Sequence, residues 1–264
     1  MKFFSSIYLP ELKEHGRVSQ LSFSEYYELN KFIQNDVNEH ICAALDDILK
    51  THVKTSATLT YIDRIIALLF MRIISVGPKI EMSFENTKVS INLPEILQKI
   101  SNINIPDCII KLNNDVSVTI KTPSNILSYD VEDFLYSTTT NGKERILNSD
   151  EKGDLFQYLA ADVVSKITAY SENIEGQLQQ IKLPHFDDVV LSLKYDILLD
   201  FIKMCFKTNL YMCLQKNVII CNYTKLSSEF IQSIPPVEVD MLISYIEADN
   251  KKNAGKMPQS NVDL

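Results

Sequence analysis

The strongest candidate for acid–base chemistry is the segment His185-Phe186-Asp187-Asp188, which places an imidazole beside two carboxylates. A histidine exchanges its proton near neutral pH, and a neighbouring carboxylate can orient the ring for proton transfer. The two aspartates also stand at the predicted start of a helix, where carboxylates bind free backbone N–H groups and complement the helix dipole. The capping role needs no substrate, so we favour it. An unrecognised enzyme that uses His185, Asp187 and Asp188 is the alternative.

Metal and cofactor sites have characteristic spacings that this chain lacks. The histidines, His15, His40, His52 and His185, are separated by long and irregular intervals, unlike the paired ligands of a metalloprotease helix. The chain has 6 glycines in 264 residues, well below the usual frequency. It carries no phosphate-binding loop, dinucleotide fingerprint, nucleophile elbow or kinase motif. The sequence therefore predicts no catalytic residue, no metal site and no cofactor.

The cysteines and the charge indicate the class of protein. Five cysteines lie in hydrophobic segments and form no Cys-x-x-Cys pair: Cys42, Cys108, Cys205, Cys213 and Cys221. An odd number of such thiols is typical of free, buried cysteines in a reducing compartment. The formal charge of −8 argues against a nucleic-acid-binding protein, whose affinity depends on neutralising phosphates. We expect no signal peptide, a cytoplasmic location and partners that are proteins.

The predicted elements are arranged around one continuous apolar segment, Thr60 to Gly77. Thr60 and Asp63 have the spacing of a helix N-terminal cap, and Gly77 before a proline supplies a C-terminal stop. Apolar residues cover nearly the whole circumference, which indicates burial on several sides. A membrane span needs about 20 apolar residues, and Arg64 and Arg72 interrupt this shorter run. We predict a buried central helix, no transmembrane segment, and a carboxylate partner for Arg72 if it is buried.

The rest of the pattern alternates helices with short β-hairpins. Period-two alternation predicts hairpins at 79–93 and 108–121, and a weaker one at 210–221. The predicted fold class is α+β, mainly helical, with a buried central helix and small antiparallel β-hairpins. The predicted organisation is an N-terminal helical cluster with hairpins at 1–136, a polar loop or boundary at 137–148, a C-terminal helical region with a hairpin at 149–248, and a disordered tail at 249–264.

Several segments resemble the T4-type phage baseplate hub family. They are Leu21-Ser22-Phe23-Ser24-Glu25-Tyr26-Tyr27-Glu28-Leu29, Leu59-Thr60-Tyr61-Ile62-Asp63, Arg72-Ile73-Ile74-Ser75-Val76-Gly77 and Ile234-Pro235-Pro236-Val237-Glu238-Val239. The resemblance implies a tail protein of a contractile-tailed phage, made in the bacterial cytoplasm, that helps to assemble the central baseplate hub. Its implied partners are other baseplate or tail proteins. The family has no catalytic residues to carry over.

Two roles stay open within that family. The protein is either a structural component that remains in the virion baseplate or an assembly chaperone that is absent from the mature virion. The sequence also leaves open whether it forms a homo-oligomer. We expect the interface in segments that are least committed to a core, namely the loop from Ser137 to Lys143, the predicted hairpin from Leu210 to Cys221 and the C-terminal tail.

Overall fold

The computed structural model describes residues 4–84, 87–125, 129–183 and 191–254. The helices are α1 (Phe23–Asn35), α2 (Asn38–His52), α3 (Tyr61–Val76), α4 (Leu93–Ser101), α5 (Ser149–Gln157), α6 (Ala161–Gln179), α7 (Tyr195–Phe206), α8 (Leu210–Thr224), α9 (Ser228–Ser233) and α10 (Pro236–Ala254). The strands are β1 (Phe4–Leu9), β2 (Glu14–Ser19), β3 (Val53–Lys54), β4 (Lys79–Phe84), β5 (Thr87–Asn92), β6 (Cys108–Lys111), β7 (Val116–Ile120), β8 (Leu135–Thr140), β9 (Lys143–Ile146), β10 (Lys182–Leu183) and β11 (Leu191–Ser192). A short 3₁₀ helix spans Val131–Phe134.

The strands form small antiparallel sheets. Their orders are β1-β2-β3, β4-β5, β6-β7-β8-β9 and β10-β11. The hairpins predicted at 79–93 and 108–121 correspond to β4-β5 and β6-β7 and are confirmed. Together with the helices they place the protein in the α+β class with mainly helical content, as the sequence predicts.

Helix α3 lies in the centre of the main hydrophobic core. Ile62, Ile65, Leu68 and Leu69 have no exposed surface, and buried residues occur around the whole helix. The helix contacts α2, α4, α7 and α10 as well as strands β1 and β2. Burying one such aliphatic side chain contributes about 1.5–3 kcal/mol to the free energy of unfolding. The predicted buried central helix is therefore confirmed.

The start of α3 differs from the prediction. Thr60 makes no side-chain cap bond to α3, and its hydroxyl instead donates to the Glu11 carboxylate at 2.5 Å. The Asp63 carboxylate accepts from the backbone N–H groups of Glu11 and Leu12 at 3.2 and 2.9 Å. Both polar side chains therefore hold the connection between β1 and β2, and the predicted capping pair is wrong.

The segment predicted as a polar loop at 137–148 mostly forms a β-hairpin, so the loop prediction is wrong. Strands β8 and β9 pair directly, and Asn141 and Gly142 form the turn with φ values of 49° and 75°. Two-residue hairpin turns require this left-handed conformation, and Asn-Gly adopts it readily. The main hydrophobic core contains buried side chains that precede the hairpin in the sequence, such as Phe134, and others that follow it, such as Val163.

Residues 210–221 form part of the single helix α8, and the hairpin predicted there is wrong. The Asn209 side chain accepts from the backbone N–H groups of Tyr211 and Met212 at 3.0 and 3.3 Å and so starts the helix. Lys216 and Asn217, which suggested a turn, lie in the middle of α8. A short apolar run does not distinguish helix from strand by periodicity alone.

Other boundaries also differ from the prediction. Within the predicted C-terminal helical region, α5 and α6 are separate helices with a break at 158–160, although apolar residues continue at helical spacing from Leu155 to Tyr170. Helix α10 continues to Ala254, so residues 249–254 are helical, and the rest of the predicted tail lies outside the described residues. The helix start predicted at Asp187 and Asp188 also lies outside the described residues, and the next described residues form strand β11.

Candidate protein-binding surface

The C-terminal helices α8, α9 and α10 enclose a small hydrophobic core of their own. Its buried members are Phe23, Cys213, Ile220, Ile231, Val239 and Ile246. Phe23 belongs to α1, and its backbone N–H donates to the carbonyl of Ile234 at 2.7 Å. An ion pair of 2.5 Å between Lys216 and Asp240 joins α8 to α10. The inner faces of these helices are therefore buried by packing against each other and against α1.

The outer faces of the same helices expose large apolar side chains. We define the C-terminal apolar face as Tyr211, Met212, Leu214, Val218, Ile219, Tyr223, Phe230, Met241 and Tyr245. Tyr211 is 65% exposed and Val218 is 58% exposed. The phenol of Tyr223 donates to Asp249 of α10. Exposed apolar residues are ordinary when scattered, but a cluster on adjacent helices is typical of an interaction site.

The spacing of residues in α8 shows that both of its sides are apolar. Cys213 and Ile220, seven residues apart, face the small core, whereas Tyr211, Leu214 and Val218 follow the opposite side at steps of three and four residues. Helix α8 also carries polar residues, including Gln215, Lys216 and Asn222. It nevertheless exposes large apolar side chains on the side that faces away from the small core, as helices at interaction sites do.

A groove between α1 and α2 adds a concave apolar site. Its volume is about 390 Å³, and we define the α1–α2 groove by its lining: Ser24, Glu25, Glu28, Leu29, Phe32, His40, Ala43, Ala44, Asp47 and Ile48. The aliphatic and aromatic side chains form its walls, and carboxylates lie among them. A groove of this kind between two helices can accept the apolar face of another helix.

A smaller cavity connects the α1–α2 groove to the C-terminal apolar face. It measures about 140 Å³ and lies between α1 and α8. It shares Ser24 and Glu28 with the groove, and it shares Leu214 with the apolar face. The two features therefore form one continuous surface that crosses from α2 over α1 to α8.

A buried polar cluster lies beneath the α1 end of this surface. The Ser19 hydroxyl is 2.9 Å from His52 Nδ1, and His52 Nε2 is 3.1 Å from a carboxylate oxygen of Glu25. Burial opposes ionisation of Glu25, but its hydrogen bonds to His52 and Ser22 outweigh burial and lower the pKa of Glu25 to about 2. Ser19 is only 1% exposed, so a substrate cannot reach its hydroxyl. The cluster therefore ties α1 and α2 to β2 and does not form a hydrolase site.

A second buried polar cluster surrounds Glu11 and Asp63. Glu11 accepts from both the backbone N–H and the hydroxyl of Thr122, at 2.7 and 2.5 Å. Burial raises the pKa of Glu11. Burial also raises the pKa of Asp63 to about 7, and the nearby Glu11 carboxylate adds to the rise. The cluster joins the β1-β2 connection, α3 and the segment after β7. The sequence motif at Thr60 and Asp63 marked this site but suggested a different role for it.

The residues singled out for catalysis, His185, Asp187 and Asp188, lie outside the described residues. His15 packs against the Tyr8 ring with centroids 5.3 Å apart, and His40 lines the α1–α2 groove. Across residues 4–84, 87–125, 129–183 and 191–254, no group of three or more His, Cys, Asp or Glu side chains could hold a metal ion.

The cysteines are free thiols. Burial raises the pKa of Cys42 to about 11 and that of Cys205 to about 12, which opposes formation of a reactive thiolate. Among the helices that the structure describes, none combines the length and apolarity needed to cross a membrane.

Comparison of the chain with protein-family models, with curated proteins and with solved structures finds no match.

Proposed function

We propose that this protein is a structural or assembly protein of the central baseplate hub of a contractile-tailed phage, and that it acts by binding other proteins. The observation that carries the binding role is the continuous apolar surface formed by the α1–α2 groove and the C-terminal apolar face. The sequence resemblance to the T4-type baseplate hub family supports the phage role. The proposed location during assembly is the cytoplasm of the host bacterium.

The size and composition of the surface support a role in protein binding. The groove supplies a concave part with Phe32 and Ile48 in its lining, and α8 supplies a convex part with Tyr211 and Val218 exposed. Tyrosine, phenylalanine and methionine are enriched in the buried centres of protein interfaces. A surface with a concave and a convex part can bind a partner that wraps around the molecule, or partners that lie side by side.

Most of the segments that carry the family resemblance meet at one place in the fold. The backbone N–H of Leu21 donates to the Ser75 hydroxyl at 2.8 Å, and the Gln20 side chain donates to the Ile74 carbonyl at 2.6 Å. Phe23 binds the carbonyl of Ile234, as described above. These segments therefore form the junction between α1, α3 and the C-terminal helices, and this common location supports treating them as one structural motif.

Two variants test the proposal on the two parts of the surface. Phe32→Glu places a charge in the α1–α2 groove, and Val218→Glu places one on α8. We expect each variant phage to yield few plaques and few assembled hubs, because an unpaired charge in an apolar interface carries a large desolvation cost. Ile109→Glu is the matched control, since Ile109 is 64% exposed on β6, outside this surface. Normal hub assembly with both variants would contradict the proposed function.

Mass spectrometry of purified virions separates the two forms of the proposal. A structural hub component remains in the particle at a fixed ratio to the other hub proteins. An assembly chaperone is present in infected cells and absent from the particle. Absence from both the virion and every hub intermediate isolated from infected cells would reject both forms.

A further inference from the structure

We propose that a second copy of this chain covers the α8 part of the C-terminal apolar face, with α8 of one protomer packed antiparallel on α8 of its partner. A second copy is thus the partner for one part of the proposed binding surface. This inference rests on the proposed function only in taking that surface to bind proteins. The α1–α2 groove stays open in this arrangement and remains available to a different protein.

The exposed apolar area of α8 is sufficient for a reversible dimer. The members of the face that lie on α8 are large side chains, each roughly half exposed, which corresponds to apolar area on the order of 500 Å². Two copies then bury about 1,000 Å² in total, which is the size of a weak interface whose dimer depends on concentration.

The stripe on α8 is suited to packing against a copy of itself. Tyr211, Leu214 and Val218 follow one side of the helix, with the mean spacing of 3.5 residues that paired helices use. In a two-fold interface the same residues must serve both partners. An antiparallel pair with its axis near Leu214 and Gln215 meets this condition, because Tyr211 of each protomer then packs against Val218 of the other.

The charge distribution favours α8 as the contact between two copies. Each copy has a formal charge of −8, so association is opposed by repulsion at most relative orientations. Helix α8 contains no acidic residue, and its one charged side chain, Lys216, is paired with Asp240. Helix α10 carries exposed Glu238 and Glu247. A two-fold axis that passes through α8 therefore keeps the acidic groups of the two copies apart.

The oligomeric state of the full chain tests this inference. Sedimentation equilibrium over a range of concentrations should show a dimer for the unmodified protein. Val218→Glu should weaken the dimer by roughly 100-fold or more, because the two-fold axis buries two added charges. Ile109→Glu should leave it unchanged. Circular dichroism checks that each variant is folded, and Tyr211→Ser provides a second variant that removes contact without adding charge.

Cysteine cross-linking tests the antiparallel arrangement. Gln215→Cys places two thiols beside the proposed axis, and oxidation with copper–phenanthroline should give a covalent dimer. In Tyr211→Cys the two thiols are displaced by about 10 Å along the helices, beyond the roughly 7 Å that a disulfide spans, so no such product should form. The unmodified chain, which has the partly exposed Cys221, is the control. A dimer that Val218→Glu disrupts but Gln215→Cys does not link overturns the antiparallel arrangement.

The remaining outcomes separate this inference from the proposed function. A monomer at every concentration, or a dimer that Val218→Glu does not weaken, overturns the inference. If the protein is monomeric and Val218→Glu still blocks hub assembly, the proposed function stands and the face binds another protein. If Val218→Glu abolishes the dimer while it and Phe32→Glu both leave phage growth normal, the inference stands and the proposed function fails.

Discussion

At the scale of single residues, the buried Arg72 binds backbone carbonyl oxygens. Its Nε donates to Cys205 at 2.5 Å, and one of its terminal nitrogens donates to Gly77 at 2.7 Å. A weaker bond of 3.4 Å reaches the carbonyl of Lys79. The sequence led us to expect a carboxylate partner, whereas the acceptors that the structure shows are carbonyls. Cys205 lies in the last turn of α7 and Gly77 directly follows α3, so their carbonyls have no partner within these helices, and the C-terminal ends of the helix dipoles attract a cation.

The carboxyl group of Asp63 predicts that the protein loses stability as the pH rises from about 4 to about 7. Burial raises its pKa from 3.8 to about 7 despite two backbone hydrogen bonds that lower it. The folded protein therefore holds this proton more tightly than the unfolded chain does. The resulting stabilisation is complete below about pH 4 and is lost as the pH approaches 7, at about 1.4 kcal/mol for each pH unit.

Urea unfolding between pH 5 and pH 8 measures this effect. We expect the free energy of unfolding to fall by on the order of 3 kcal/mol across that range. Asp63→Asn should flatten the dependence, although the protein becomes less stable at low pH because an amide accepts fewer N–H bonds than a carboxyl group does. Asp162→Asn is the control, because Asp162 is exposed on α6. An equal slope in the Asp63 variant and the unmodified protein would show that another group is responsible.

At the scale of elements, two glycines should respond in opposite ways to the same substitution. Gly142 has φ of 75° in the turn between β8 and β9, and Gly176 lies within helix α6. An added methyl group would meet no atom within 4 Å at either position. The effect of alanine is therefore conformational and depends on the backbone alone.

Thermal and urea unfolding compare the two glycine variants. Gly142→Ala should lower the free energy of unfolding by about 1–2 kcal/mol, because a side chain disfavours the left-handed conformation. Gly176→Ala should raise it by about 0.5–1 kcal/mol, because alanine has the higher helix propensity. Stabilisation by Gly142→Ala would mean that the hairpin turn does not adopt this geometry in solution.

The elements that the sequence predicted correctly are those with a long or strictly periodic pattern. The apolar run of α3 and the alternation in β4-β5 are each compatible with only one type of secondary structure that buries their apolar residues. Helix α8 was missed because its apolar residues cover both sides, which leaves no period to detect. The β8-β9 hairpin was missed although Asn141-Gly142 is a strong turn signal, because the serine and threonine residues of β8 suggested a loop.

At the scale of the whole molecule, the sequence pointed to part of the proposed binding surface but not to its shape. The segment from Leu210 to Cys221, where an interface was expected, forms most of α8, and its exposed apolar residues belong to the C-terminal apolar face. The α1–α2 groove was not predicted, because its lining combines residues of two helices whose packing angle no local pattern reveals. The Ser19, His52 and Glu25 cluster was missed for the same reason, since its members come from three elements.

The two hydrophobic cores predict two levels of stability within one molecule. The main core around α3 draws buried side chains from many elements, whereas the C-terminal core contains few. Because each buried apolar side chain contributes about 1.5–3 kcal/mol, the smaller core should open at a lower free energy. Hydrogen exchange at low protein concentration should therefore be faster for amides in α8 and α10 than for those in α3.

Alanine variants in each core show whether the two regions open separately. Ile220→Ala removes a fully buried side chain from the C-terminal core and should lower protection in α8 and α10 by about 2–5 kcal/mol. Protection in α3 should then change much less, provided that α3 remains folded when the C-terminal helices open. Leu68→Ala in the main core should lower protection in both regions, because unfolding of α3 removes the surface on which the C-terminal helices pack. Equal loss of protection in α3 and α8 with Ile220→Ala would instead show that the protein unfolds as one cooperative unit.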